Sequence, residues 1–170
     1  MSKPILVAYA TLHGSTKEVA EEIAKTLRES GQAVDFQALK DVRSLADYSA
    51  VVMGAPFYMF RWHKDARRFL SRHREALQKM PVAVFALGPF NDVEKEWNDV
   101  RAMADKTLAK YPWLKPVSVE IVGGKFDPMH LKFPYNLIPA MKAMPVTDIR
   151  DWDKIRAWAS ALPEKFQPGS

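Results

Sequence analysis

Ile5-Leu6-Val7-Ala8-Tyr9-Ala10-Thr11-Leu12-His13-Gly14-Ser15-Thr16, continued by Lys17-Glu18-Val19-Ala20, is the stretch that decides the fold. Ile5 to Tyr9 is apolar without alternation, as in a central parallel strand covered on both faces. From Ser15 to Ser30 the period becomes helical. Val19, Ala20, Ile23, Ala24 and Leu27 form the apolar stripe, and Gly31 follows as a stop. Between strand and helix lies a hydroxyl-rich loop. Thr11, Ser15 and Thr16 supply donors, Gly14 lets the backbone approach closely, and the helix N-terminus adds free N–H groups, a combination that suits a phosphate. The alternative is a plain helix cap by Ser15 or Thr16.

Working outward, Ala33 to Leu39 reads as a second strand and Tyr48 to Gly54 as a third, buried one, joined by a short link of uncertain helical content. A loop, Ala55 to His63, leads to a helix with the stripe Ala66, Phe69, Leu70, His73 and Leu77. Val82 to Leu87 is a fourth strand. A loop, Gly88-Pro89-Phe90-Asn91, precedes a long helix with Val93, Trp97, Val100, Ala104 and Leu108 on one face. Val117 to Val122 is a fifth strand, and Trp152 to Leu162 a last helix. Strands alternating with helices imply a parallel sheet between two helical layers. Five strands suggest the order 2-1-3-4-5, with a ligand at the carboxyl ends of strands one and three.

The sequence therefore reads as one domain over 1–163 with a tail, 164–170. One segment exceeds the minimal plan. Gly123 to Thr147 holds Phe126, Met129, Leu131, Phe133, Tyr135, Leu137, Ile138, Met141 and Met144 with four prolines, where a few residues would suffice. Leu137, Ile138, Met141 and Met144 are spaced roughly as one helical face, which Pro134 would open and Pro145 follow. Such a face either caps the protein's own core or forms an apolar surface beside the ligand.

Composition narrows the chemistry. The chain has no cysteine, which excludes disulfides, thiolate metal sites and dithiol redox chemistry, so electron transfer needs a bound cofactor. No His/Asp/Glu cluster has metal-ligand spacing, so no metal is expected. No apolar stretch is long enough to span a bilayer and no signal peptide is read, which fits the cytoplasm. The formal charge is +5 and the pI about 9.4. Arg61, Lys64, Arg67, Arg68, Arg72, Arg74 and Lys79 against Asp65 and Glu75 account for all of that net charge in one segment. This is either a solvated helix face or a field for an acidic partner or an anionic surface. No nucleic-acid partner is expected.

The loop lacks the lysine of a P-loop and the G-x-G-x-x-G of a dinucleotide site. A receiver domain would need acidic residues where Ala10-Thr11 and Gly54-Ala55 stand, and a low-molecular-weight tyrosine phosphatase would need a cysteine. T-L-H-G-S-T-K-E-V-A instead resembles the flavodoxin signature T-x-x-G-x-T-x-x-x-A, with strand and helix order to match over nearly the whole chain. The resemblance implies a flavodoxin-like three-layer α/β sandwich that binds FMN. It places the phosphate on Thr11, Leu12, His13, Gly14, Ser15 and Thr16. It places the flavin ring on Ala55, Pro56, Phe57, Tyr58, Leu87, Gly88, Pro89, Phe90 and Asn91. Tyr58 and Phe90, near the strand ends, are expected as ring contacts. For Phe57 and Trp62, ring contact and core packing stand level.

Further features resemble the menaquinone-dependent protoporphyrinogen oxidases. These are the aromatic-basic loop ending at His63, the basic helix with Phe69, Met80-Pro81, Gly123-Gly124 before a long insertion, and Asp151-Trp152. That branch implies an FMN-dependent oxidoreductase passing electrons from a reduced substrate, protoporphyrinogen IX foremost, to a quinone. An anionic membrane surface becomes a candidate contact. The alternative is a flavodoxin-type carrier serving a redox partner protein. His63 is the candidate to accept or relay a substrate proton, and His73 is expected as a packed core residue. Phe60 stands where the family loop often has glycine, and the insertion is less basic than the family's. Both departures bear on the substrate rather than on FMN. In carriers a glycine-containing peptide after strand three turns to meet the reduced flavin. No glycine occurs from Ala55 through His63, so a mainly two-electron couple is expected.

Overall fold

The computed structural model describes residues 3–11, 14–58, 61–131 and 133–168. Five strands form one parallel sheet: β1 (Ile5–Tyr9), β2 (Val34–Ala38), β3 (Ala50–Gly54), β6 (Val82–Ala86) and β7 (Ser118–Ile121). Their order is β2-β1-β3-β6-β7, which is 2-1-3-4-5 when only these strands are counted. Two small antiparallel ribbons stand outside the sheet, β4 (Phe57–Tyr58) with β5 (Arg61–Trp62), and β8 (Lys125–Phe126) with β9 (Thr147–Asp148).

Period-two alternation of the strands feeds two core layers. Ile5, Val7, Ala50, Val52, Ala83 and Phe85 face α1 (Ser15–Glu29) and α6 (Trp152–Lys165). Leu6, Ala8, Val51, Met53, Val82 and Val84 face α2 (Lys64–Arg72) and α3 (Arg74–Leu77). Helix α4 (Glu94–Ala109) covers the β6–β7 side through Trp97, Val100 and Ala104. The α1 stripe is fully buried, and each of its large aliphatic side chains contributes roughly 1.5–3 kcal/mol. Gly31 ends that helix with φ 90, as a left-handed stop requires.

Four expectations change. The helix expected through Leu77 breaks at His73, whose backbone leaves the helical region (φ −109, ψ 17) while its ring meets the Val42 carbonyl at 3.4 Å and lies against Phe69. His73 is the packed core residue expected. Val93 is exposed, because it precedes the first turn of α4 in extended backbone. The last helix runs through Pro163 to Lys165, and Phe166 packs onto the α1–α6 cluster, so the expected tail at 164 starts too early. The insertion is not one helix. Ile138, held extended before a proline, separates a 3-10 turn (Tyr135–Leu137) from α5 (Pro139–Lys142), so Pro139 rather than Pro134 opens the helix.

Candidate functional site

The carboxyl ends of β1 and β3 are tied together, since the Ala10 N–H donates to the Gly54 carbonyl at 3.0 Å. Around this point lie three loops. After β1, Thr11 Oγ1 accepts the Gly14 N–H at 2.8 Å and draws the loop tight. Gly14 caps α1 in the left-handed region (φ 89) and offers no capping side chain. A Cβ there would meet nothing within 4 Å, so the first turn opens onto space. This cradle fits a phosphate that takes up first-turn N–H groups. Thr11 and Ser15 are half-buried, whereas Thr16 is buried in the first turn. Leu12 and His13 lie outside the described residues.

After β3 the chain makes the β4–β5 ribbon, closed at its base by the His63 N–H donating to the Pro56 carbonyl at 3.0 Å. Trp62 is buried, and its Nε1–H donates to the Ala55 carbonyl at 3.3 Å. Its ring belongs to the core beside Ala66 and Phe69, which answers the open reading in favour of packing. The side chains of Phe57 and Tyr58 lie outside the described residues. Ala55 is buried and Pro56 half-buried. His63 caps α2, with Nδ1 accepting the Asp65 N–H at 3.1 Å. Burial, opposed by Asp65, lowers its pKa and favours the neutral ring.

After β6, Leu87 is half-buried and Gly88-Pro89 buried, while Phe90 is 48% exposed. Asn91 turns away toward α4, its N–H and Nδ2 donating to the two Glu96 oxygens at 3.1 Å each. The insertion joins this loop directly. The Gly124 N–H donates to the Pro89 carbonyl at 2.8 Å, and a Cβ on Gly124 would come within 3.1 Å of the Phe90 ring. The Phe90 and Phe126 rings are 5.5 Å apart.

This arrangement puts a helix N-terminus and its neighbouring loops at the β1/β3 switch point, where sheets of this strand order take a ligand. The flavodoxin domain family model matches residues 6–138. The chain belongs to the flavodoxin domain family. As a member it binds FMN and serves electron transfer. It is similar to the protoporphyrinogen IX dehydrogenase [quinone] of Escherichia coli (strain K12), 24% identical over 168 residues, covering 92% of this chain and 93% of the relative. A Leishmania major protein of the same description is 26% identical over 184 residues, covering 98% of this chain and 79% of that relative. Among solved structures, oxidised flavodoxin 2 from Bacillus cereus superposes with a TM-score of 0.56 at 20% identity, covering 96% of this chain and 99% of that one.

Sequence reasoning missed Phe126 as a partner of Phe90, and it missed Arg150. The side chain of Arg150 is buried at 3% exposure and reaches the first turn of α1, donating from Nη1 to the Ser15 carbonyl at 3.3 Å. Its signal was an acid and a base two residues apart, Asp148 and Arg150, just before Asp151-Trp152.

Proposed function

We propose that this flavodoxin-domain protein is an FMN-dependent dehydrogenase passing electrons from a reduced substrate, with protoporphyrinogen IX as the leading candidate, to a quinone. One observation carries the reading: an apolar, exposed insertion rooted on the flavin-ring loop. Met129 is 89%, Phe133 77% and Leu137 64% exposed, so these side chains do not cover the protein's own core. Through Gly124 and Phe126 the segment starts on Pro89 and Phe90. A carrier has no need of an apolar surface there, whereas a quinone tail or a macrocycle does. The relatives named as quinone-linked dehydrogenases match over most of the chain.

FMN, when bound, supplies a two-electron acceptor that a quinone can reoxidise. The chain's residues bind and orient. The α1 N-terminus with Thr11 and Ser15 would hold the phosphate, and Ala55, Pro56, Phe57, Tyr58 and the Leu87–Asn91 loop would flank the ring. His63 can accept a substrate proton only on Nδ1, the basic nitrogen of the tautomer that caps α2, and would release the Asp65 N–H as it does so, because Nε2 already carries the hydrogen. The exposed cations Arg61, Lys64, Arg68 and Arg72 attract propionate carboxylates or anionic lipid headgroups.

The same cations favour a second reading, an electron carrier docking on an acidic redox partner. An anaerobic assay with protoporphyrinogen IX and a menaquinone analogue separates the two. Turnover dependent on FMN is expected. No turnover, together with efficient electron exchange with a flavodoxin reductase, would establish the carrier instead.

A further inference from the structure

Arg150 is the one Lys or Arg that is buried among the described residues. Its guanidinium forks onto Asp148, with Nε to Oδ1 at 2.9 Å and Nη2 to Oδ2 at 2.8 Å, and lies 4.8 Å from the centre of the Trp152 ring. On its far side Nη1 donates to the Ser15 carbonyl at 3.3 Å and stands 3.4 Å from Glu18 Oε2. Ser15 and Glu18 belong to the first turn of α1, the turn that faces the phosphate. Asp148 pairs with Lys125 across the β8–β9 ribbon, and the next residue back, Gly124, is bonded to Pro89. One side chain thus links the phosphate turn to the foot of the insertion, and through it to the ring loop.

The charges give this link a consequence. Asp148 and Glu18 both sit beside a helix end that must receive an anion. A carboxylate there suits the helix dipole but repels a bound phosphate. Arg150 offsets one of the two charges and hydrogen-bonds both groups, and the Asp148 carboxyl is held below its ordinary pKa by the Arg150 hydrogen bonds despite burial. Without that cation the two half-exposed carboxylates would leave their negative field, screened only by solvent, next to the phosphate turn.

We propose that Arg150 is a positioning residue for the FMN phosphate. It pairs with Asp148 and Glu18 beside the first turn of α1, offsetting one of their two negative charges, and fixes that turn to the foot of the insertion. Phosphate affinity then depends on a residue 135 positions from the turn it supports. The proposal rests on FMN binding at this site, and the test keeps the two apart.

The experiment titrates the full-length apoprotein with FMN and, separately, with riboflavin, following flavin fluorescence. The variants are Arg150→Met, which keeps the stem against Trp152, Arg150→Lys, and Arg150→Met combined with Glu18→Gln and Asp148→Asn. Arg150→Met should weaken FMN on the order of ten- to a hundredfold and riboflavin less than about threefold. Added salt should narrow that gap. Arg150→Lys should keep most of the FMN affinity, and the triple variant should recover it. Equal losses for FMN and riboflavin, or no loss for either, overturn the proposal. Should Arg150→Met fail to fold, Glu18→Gln decides, because Glu18 is a half-exposed side chain whose removal spares the fold. It should tighten FMN by about threefold or more, and unchanged affinity overturns the proposal. Failure of the unaltered protein to bind FMN would instead remove the site reading itself.

Discussion

His63 ends one element and begins another, and the nitrogen that caps the helix is also its one basic nitrogen. Nδ1 accepts the Asp65 N–H, so the ring must be unprotonated there to cap α2. Burial lowers its pKa from the ordinary 6.5. A base with a lowered folded pKa favours the native state in its neutral form. Its contribution is therefore full above about pH 6.5 and is lost as pH falls from there toward the folded value. Two substitutions separate cap from proton relay. Asparagine is among the best capping residues, so His63→Asn should leave stability within about 0.5 kcal/mol, whereas His63→Ala should cost about 1 kcal/mol. If His63 accepts a substrate proton, His63→Asn should lower turnover roughly 10²- to 10⁴-fold with FMN affinity unchanged. Thermal unfolding and anaerobic turnover check this, and full turnover in the Asn variant would leave His63 as a cap alone.

Strand β3 ends at Gly54, the one glycine at the place where carriers of the family turn a peptide toward reduced flavin. Here that peptide is fixed. The Gly54 carbonyl accepts the Ala10 N–H at 3.0 Å, and a Cβ would fall 2.2 Å from the Phe85 ring, so the glycine is there for packing. Beyond it Pro56 stiffens the loop and the ribbon closes at His63. With the Gly54 carbonyl held, reduction should proceed mainly in one two-electron step. Dithionite titration under nitrogen should bleach the flavin with little blue one-electron species, and a large stable blue stage would refute the fixed-peptide account. The same stretch shows what sequence can carry. Strands β1, β3 and β6 and the stripe of α1 were legible because their pattern is contiguous and periodic. The β4–β5 ribbon has only two residues per strand and no period, so whether Trp62 faced flavin or core depended on its hydrogen bond to Ala55 and its ring contact with Tyr111, which no local pattern encodes. The break at Ile138 was legible from Pro139, but the apolar spacing across it argued for a continuous helix. Arg150 could not be placed, since its partners Ser15 and Glu18 lie at the other end of the chain.

At the scale of the whole molecule, two surfaces are in excess of what an FMN carrier requires, the exposed cations of α2 and the apolar insertion. No helix among the described residues is long and apolar enough to cross a membrane. Three exposed apolar side chains entering an interface contribute roughly 1.5–3 kcal/mol each before the ordering of the segment is subtracted. Anionic lipid adds about 1 kcal/mol per nearby cation. The β8–β9 ribbon makes the test clean. Phe126 and Thr147 are paired partners, so residues 127–146 can be replaced by Asn-Gly, which closes two antiparallel strands with a tight turn. The hairpin keeps Gly124 on Pro89, Phe126 beside Phe90 and Asp148 under Arg150, so FMN affinity and the unfolding temperature should stay near those of the parent. Sedimentation with vesicles rich in phosphatidylglycerol should show binding of the parent that weakens with salt and is abolished in the shortened chain. Quinone reduction should fall with it. If the shortened chain instead loses cooperative unfolding, the insertion is core cover. If it keeps vesicle binding and quinone reduction in full, the excess surface serves neither lipid nor quinone, and the cations of α2 remain as the docking site of an acidic redox partner.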